Sequence, residues 1–239
     1  MAFKVGNLTI TKFIKGILGT RLIDPIEVYY LNNENVFYPI ISKSGCSTVK
    51  LTLIQKYNNS FYSKFPEIHN VDPKIFTDGK VERLYFKNFK KYLDFCSGKK
   101  ICMVMRNPYD RIYSCFLDVK KEKNIMYYDP NKLHKIFRIN NNVTFKKFLS
   151  KVILIPDYLS DRHFRSQTFY FNDKVVNKVN DEEIVLIENF NITDKSTNIL
   201  NANDKGIPSE VLDYLKSNKK FSNRFKEDIK LYNERLSNN

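Results

Sequence analysis

Six consecutive residues, Lys43-Ser44-Gly45-Cys46-Ser47-Thr48, combine a cation, a glycine and three hydroxyls in one short turn. An apolar run with strand character, Val36 to Ile41, precedes them, and Val49, Leu51, Leu53 and Ile54 follow at spacings a helix accommodates. Strand, tight turn and helix together aim free backbone N–H groups and a helix N-terminus at an anion. Gly45 permits the close turn, Ser47 and Thr48 supply hydroxyls, and Lys43 supplies a mobile positive charge. The chemistry this points to is phosphate binding. The order differs from the nucleotide loop G-x-x-x-x-G-K-[ST], because the lysine here precedes the glycine.

A second anion motif lies between Lys100 and Asp118. Ile101 to Met105 reads as a buried parallel strand, and Asn107-Pro108 breaks it with the proline placed for the first turn of a helix. Ile112, Cys115, Phe116 and Val119 give that helix an apolar stripe. Arg106 then stands at the carboxyl end of a strand, where open α/β sheets bind ligands, and Ser114 follows about two helical turns later. An arginine forks onto phosphate oxygens and a serine hydroxyl completes the contact.

The turn around Gly45 resembles the 5′-phosphosulfate loop of sulfotransferases, and the carbohydrate-modifying branch (sulfotransferase family 2, with its chondroitin, dermatan and heparan types) is the most similar. Arg106, Asn107, Pro108, Arg111 and Ser114 fit the R-[DN]-P-x-x-R-x-x-S segment that binds the 3′-phosphate in that family. Asn107 replaces the usual acidic residue, a change expected to loosen a helix cap. His163, Phe164, Arg165 and Gln167 match a third segment, His-aromatic-Arg-x-Gln. The resemblance implies 3′-phosphoadenosine-5′-phosphosulfate (PAPS) as donor, with the desulfated bisphosphate (PAP) as product and no metal. It implies that Lys43, Ser44, Gly45, Cys46, Ser47 and Thr48 hold the 5′-phosphate, Arg106 and Ser114 the 3′-phosphate, and Arg165 an anionic group of the acceptor. His163 would accept the proton of the acceptor hydroxyl. The plainer reading has His163 bonding its own loop and Phe164 anchoring the core. A related heparan-type group places its base upstream of the arginine strand, where this chain has Glu82 in reserve.

The intervening chain supplies the frame. Residues 58–80 read as loop, and His69 within them as a solvated histidine; residues 81–95 carry a helical apolar face. His134 reads as a surface residue, and residues 144–154 as a helix capped by Thr144 and ended by Pro156. Ile184 to Glu188 forms a further buried strand, with Glu188 an ion-pair partner or a counterpart of the family's late-strand glutamate. Residues 193–200, 208–218 and 225–236 are helical, and residues 8–22 suit a basic amphipathic helix that packs on the domain or touches a membrane surface.

At 239 residues with 42% hydrophobic and 14% aromatic content, the chain can bury one sizeable core. Its net charge of +14 attracts anions: nucleic acid, an anionic nucleotide or glycan, or an acidic membrane. The basic residues are spread along the chain without a zinc-finger, RNA-recognition or basic-zipper signature, so no specific nucleic acid is expected. Cys46, Cys96, Cys102 and Cys115 lack metal-site spacing and read as reduced thiols. Cys46 at a helix N-terminus has no identifiable base beside it. No segment reaches the length of a transmembrane span, and a cytoplasmic location is expected.

The expected architecture is one α/β domain over residues 1–239, with residues 1–35 outside the resemblance. It has a mainly parallel central sheet between helical layers, related to nucleotide kinases with a P-loop-like turn, and a helical C-terminal part. The expected activity is PAPS-dependent sulfuryl transfer to a hydroxyl, most simply of a carbohydrate, with other hydroxyl acceptors open and an anionic acceptor compatible with the charge. The competing classes are a P-loop phosphotransferase, which lacks its G-K-[ST] order here, and a non-catalytic nucleic-acid or polyanion binder on the same fold.

Overall fold

The computed structural model describes residues 21–64, 67–121, 139, 141–190 and 206–237, together with two short paired strands, β1 (Lys4–Val5) and β2 (Leu8–Thr9). Its centre is a five-stranded sheet of β3 (Ile26–Leu31), β4 (Val36–Pro39), β5 (Val81–Phe86), β6 (Lys100–Met105) and β7 (Asp181–Leu186), in the spatial order β5-β3-β4-β6-β7. The β4/β6 and β6/β7 pairs are parallel, whereas β3 runs antiparallel to both β4 and β5. The sheet is therefore mixed, which corrects the expected mainly parallel arrangement. The tight hairpin between β3 and β4, through residues 32–35, dictates the reversal, because two adjacent strands joined so briefly can pair only antiparallel.

The helices are α1 (Cys46–Gln55), α2 (Pro73–Phe76), α3 (Phe89–Cys96), α4 (Pro108–Lys120), α5 (Phe145–Val152), α6 (Asp173–Val176), α7 (Ser209–Ser217), α8 (Lys219–Arg224) and α9 (Lys226–Ser237). Strand alternation divides the core into layers. Tyr29, Leu31, Tyr38, Cys102 and Val104 turn to one face and pack with Val49 and Leu53 of α1. Val28, Phe37, Ile101, Met103 and Met105 turn to the other and meet Tyr92 of α3 and Tyr232 of α9. A further apolar cluster joins Ile112, Cys115 and Val119 of α4 to Phe148 and Val152 of α5 and to Phe221.

Local chemistry accounts for the helix starts. Pro108 sits in the first turn of α4, and the Asn107 side chain accepts from the Tyr109 N–H at 2.9 Å, so the asparagine keeps the cap that its substitution was expected to loosen. Thr144 caps α5, as its sequence suggested.

The expected helical face over residues 81–95 divides into strand β5 and helix α3, with Asn88 capping the latter. The strand wins because β3 offers β5 a six-residue ladder from Ile26↔Phe86 to Leu31↔Val81. Residues 58–80 hold a 3-10 turn, Glu67–Asn70, and helix α2 rather than bare loop. Strand β3 falls between the segments that sequence reading covered, residues 8–22 and the run from Val36. Of the basic helix expected over residues 8–22, Leu8 and Thr9 pair with β1 instead, and residues 10–20 lie outside the described part, as do His134 and the helix expected at 193–200.

The C-terminal helix α9 reaches back to the middle of the molecule through Asp228, which is 1% exposed. Its carboxylate accepts from the Gln167 N–H (2.8 Å), the Thr168 N–H (2.8 Å) and the Thr168 hydroxyl (2.7 Å). Asp228→Ala strands two backbone donors in the interior, and we expect it to cost about 2–4 kcal/mol of stability. Urea denaturation measures this, and a loss below about 0.5 kcal/mol would detach α9 from the central frame.

Candidate functional site

The turn between β4 and α1 lies where two backbone residues adopt left-handed conformations, Lys43 (φ 66°) and Gly45 (φ 69°). Gly45 is the N-cap of α1 and no side chain caps it. A β-carbon there would strike the side chain of Ile187, so glycine is required both by its φ and by the space. Ser47 and Thr48, in the first turn of α1, are buried at 4% and 2% exposure. An anion at this end of α1 would meet the positive pole of a ten-residue helix and its first backbone N–H groups.

Lys43 is not a mobile charge. Its ammonium is paired with Asp118 of α4, both side chains about one-fifth exposed. Arg106 leaves the end of β6 and donates from Nη1 to the Lys43 carbonyl at 3.4 Å; among the described residues no carboxylate pairs with its guanidinium. Arg111, 2% exposed, bridges the Ser42 carbonyl (3.0 Å) and the Arg162 carbonyl (3.2 Å). Ser114 sits one turn from Arg111 and one turn from Asp118 on the same helix, so it shares the α4 face turned to the loop.

Gln167, fully buried, locks these parts together. Its Oε1 accepts from the Ser44 hydroxyl at 2.6 Å and from the Arg106 N–H at 3.0 Å, while its Nε2 donates to the Arg106 carbonyl at 2.9 Å. The same segment carries His163, 3% exposed, whose Nδ1 and backbone N–H both bond Asp161 Oδ1. A carboxylate accepts only, so Nδ1 carries a proton and Nε2 is left as the ring's basic atom when the imidazole is neutral. The His163 carbonyl accepts from the Cys115 thiol of α4, which holds the segment against that helix.

Two expected site residues fall elsewhere. Arg165 is fully buried and spends its guanidinium on backbone carbonyls of Asp24 (2.6 Å), Asp157 (3.1 Å) and Ser160 (2.9 Å). It braces the loop and presents no charge outward. Glu82 stands at the start of β5, opposite Tyr30, at the end of the sheet away from the Gly45 turn, and pairs with the exposed Lys74. Glu188 lies beyond β7 on an exposed 3-10 turn.

A charged cluster that sequence reading missed lies beneath α1. Glu27 of β3 receives Lys50 (2.7 Å), Arg83 (2.7 Å) and Arg162 (3.1 Å), and Arg162 also pairs with Asp24. Burial by itself raises the Glu27 carboxyl's pKa, but the three cations outweigh it and hold the group below its usual 4.5. His69, expected to be solvated, instead bonds Ser47 Oγ through Nε2 (3.1 Å) and Lys50 Nζ through Nδ1 (3.3 Å). Burial first, then the charge of Lys50, push its pKa down to about 3, with Glu27 opposing. The one sequence signal for the cluster was a lysine, Lys50, on the sheet-facing side of α1.

The four cysteines are free, with Cys96, Cys102 and Cys115 buried and their thiol pKa values pushed up to about 12 by burial. Among the described residues there is no group of metal-ligating side chains and no helix long and apolar enough to cross a membrane.

A family model described as "Sulfotransferase family" matches residues 29–232. No curated protein and no solved structure gives a significant match. The matched span takes in the Gly45 turn, the Arg106 junction and the segment from Asp161 to Gln167.

Two outcomes follow from the geometry. Gly45→Ala should destabilise the protein by about 1–3 kcal/mol through left-handed strain and displacement of Ile187; adding Ile187→Ala should return the packing part, and strict additivity in the double-mutant cycle would refute the clash. For pH, unfolded His69 binds a proton below 6.5 while folded His69 does so only near 3. Its contribution to stability is therefore complete above pH 6.5 and is lost as pH falls toward 3. His69→Gln should flatten the fall in unfolding free energy between pH 6.5 and 4, and an unchanged slope would place the titration elsewhere.

Proposed function

The chain belongs to the sulfotransferase family, and from that premise we propose that it moves the sulfuryl group of PAPS to a hydroxyl on a carbohydrate, within a nucleotide-kinase-like P-loop fold. The observation that carries this reading is the convergence, through Gln167, of the Gly45 turn and Arg106. A donor with a 5′-phosphosulfate and a separate 3′-phosphate needs two anion sites held at fixed separation. The Gly45 turn suits the first, and Arg106 with Ser114 of α4 suits the second.

In this reading the acceptor oxygen attacks sulfur as the bond from sulfur to the 5′-phosphate oxygen breaks, the electron pair ending on that phosphate. The acceptor's proton passes to Nε2 of His163, and Asp161 stabilises the imidazolium that results. Lys43 exchanges Asp118 for the leaving phosphate and neutralises its developing charge. The fixed donor also turns a two-body encounter into an oriented one. Arg83 and Arg162, both partly exposed at the rim of the Glu27 cluster, suit an acceptor that is itself anionic better than the fully buried Arg165 does.

Calorimetric titration with PAP, ATP and adenosine 5′-phosphosulfate tests the donor assignment. Micromolar binding of PAP that depends on its 3′-phosphate is expected; equal binding of ATP would favour a phosphotransferase, and salt-sensitive DNA binding without PAP affinity a polyanion binder. Arg106→Ala should weaken PAP binding by about 2–3 kcal/mol. Lys43→Ala should abolish turnover while PAP binding persists, and His163→Ala should lower the rate by about 10²–10⁴ with PAP affinity retained. A Glu82→Gln variant with that loss, beside an unaffected His163→Ala, would transfer the base role.

A further inference from the structure

His69 is set apart by what its two ring nitrogens touch. Nδ1 lies 3.3 Å from Lys50 Nζ, and that ammonium is itself held by Glu27 at 2.7 Å. An ammonium has three donors and no lone pair, so Nδ1 must accept. A neutral ring then carries its hydrogen on Nε2, and Nε2 donates to Ser47 Oγ at 3.1 Å. The direction of this bond settles the serine as well. With a lone pair of Oγ occupied by His69, the serine's own O–H hydrogen is directed away from the ring, and among the described residues no acceptor takes it. Ser47 stands in the first turn of α1, beside the left-handed Gly45.

We propose that His69 is a positioning residue for the donor site: it fixes the Ser47 hydroxyl as a hydrogen-bond donor to the 5′-phosphate group of the bound nucleotide. This rests on the PAPS reading and adds a residue that none of the three motif segments contains. Without His69, nothing would hold a lone pair of Ser47 Oγ, and its O–H hydrogen would have no set direction. With it, the hydroxyl is committed before the ligand arrives, and the ordering cost of binding falls. Burial first keeps the ring neutral; of the groups facing it, Lys50 of α1, Arg83 of β5 and His163 also oppose a second proton, and Glu27 of β3 works the other way. The donor direction is therefore the same across the neutral and mildly acidic range.

The test is a calorimetric cycle on the full chain with two probes, PAP and adenosine 3′-phosphate, which lacks the 5′-phosphate. His69→Phe should weaken PAP binding roughly ten- to a hundredfold, the range for a hydrogen bond to a charged group, and leave adenosine 3′-phosphate binding unchanged. His69→Gln, whose amide N–H can replace Nε2–H, should restore most of the PAP affinity. In the Ser47→Ala background, His69→Phe should add no further loss. Equal weakening of both probes, or losses that add across the two sites, would overturn the proposal and make His69 a packing residue. If His69→Phe does not fold, His69→Asn, whose shorter amide cannot reach Ser47, takes its place with the same two outcomes. Wild-type protein that binds neither probe would reject the PAPS reading and this inference with it. Wild-type binding with an additive cycle rejects this inference alone.

Discussion

The architecture of the site depends on one buried amide. The Gln167 side chain receives the Ser44 hydroxyl and the Arg106 N–H on one atom and donates to the Arg106 carbonyl from the other. Only a side chain with an acceptor and a donor on one planar group can serve both ends. A glutamate would set a carboxylate against the Arg106 carbonyl, and a methionine would leave the Ser44 hydroxyl and the Arg106 N–H unpaired in the interior, each at a cost of about 1–3 kcal/mol. The amide is fixed in turn, since its own backbone N–H is held by Asp228 of α9. The C-terminal helix thus bears on the spacing between the β4 and β6 strand ends, through Asp228 and through Tyr232, whose hydroxyl bonds the Asn107 side chain.

A second network holds the underside of α1. Lys50 is buried, which is expensive unless a charge receives it, and Glu27 does so together with Arg83 and Arg162. Removing Glu27 alone would take the shared anion from Lys50 and Arg83 and leave Arg162 with Asp24 only, whereas the intact cluster ties β3, β5, α1 and the loop at Arg162 to a common point. Rigidity at such a point would suit the proposed pair of phosphate subsites, which the PAPS reading needs at a fixed distance.

What could be read in advance was local, and what could not was long-range. The Gly45 turn and the Arg106–Pro108 junction are contiguous, so their residue order carried both the elements and the chemistry. Gln167 was visible as part of a motif, but its partners lie 61 and 123 residues away, and no pattern in the chain states that they meet. His69 looked like an isolated loop histidine because Ser47 and Lys50 are 22 and 19 residues earlier. Arg165 was misread for the opposite reason: an arginine beside a histidine looks functional, yet its Nε and Nη2 donate to three backbone carbonyls and the whole side chain is buried. Residues 81–95 read as a helix because the apolar spacing of β5 and α3, run together, imitates one; the ladder with β3 is information the segment does not contain.

The pairing of Lys43 with Asp118 gives the loop's lysine a counter-ion from within the chain. The helix that carries Ser114 also carries, one turn on, a carboxylate that sits against the loop's only side-chain cation. On the proposed reading, an incoming anion exchanges with Asp118 instead of adding to a bare charge, and its net gain is the difference between the two contacts. Such exchange filters ligands by charge density. A monovalent ion such as chloride offers little over a carboxylate already in place, whereas a group with several charged oxygens, spanning Lys43 and the helix N-terminus at once, does.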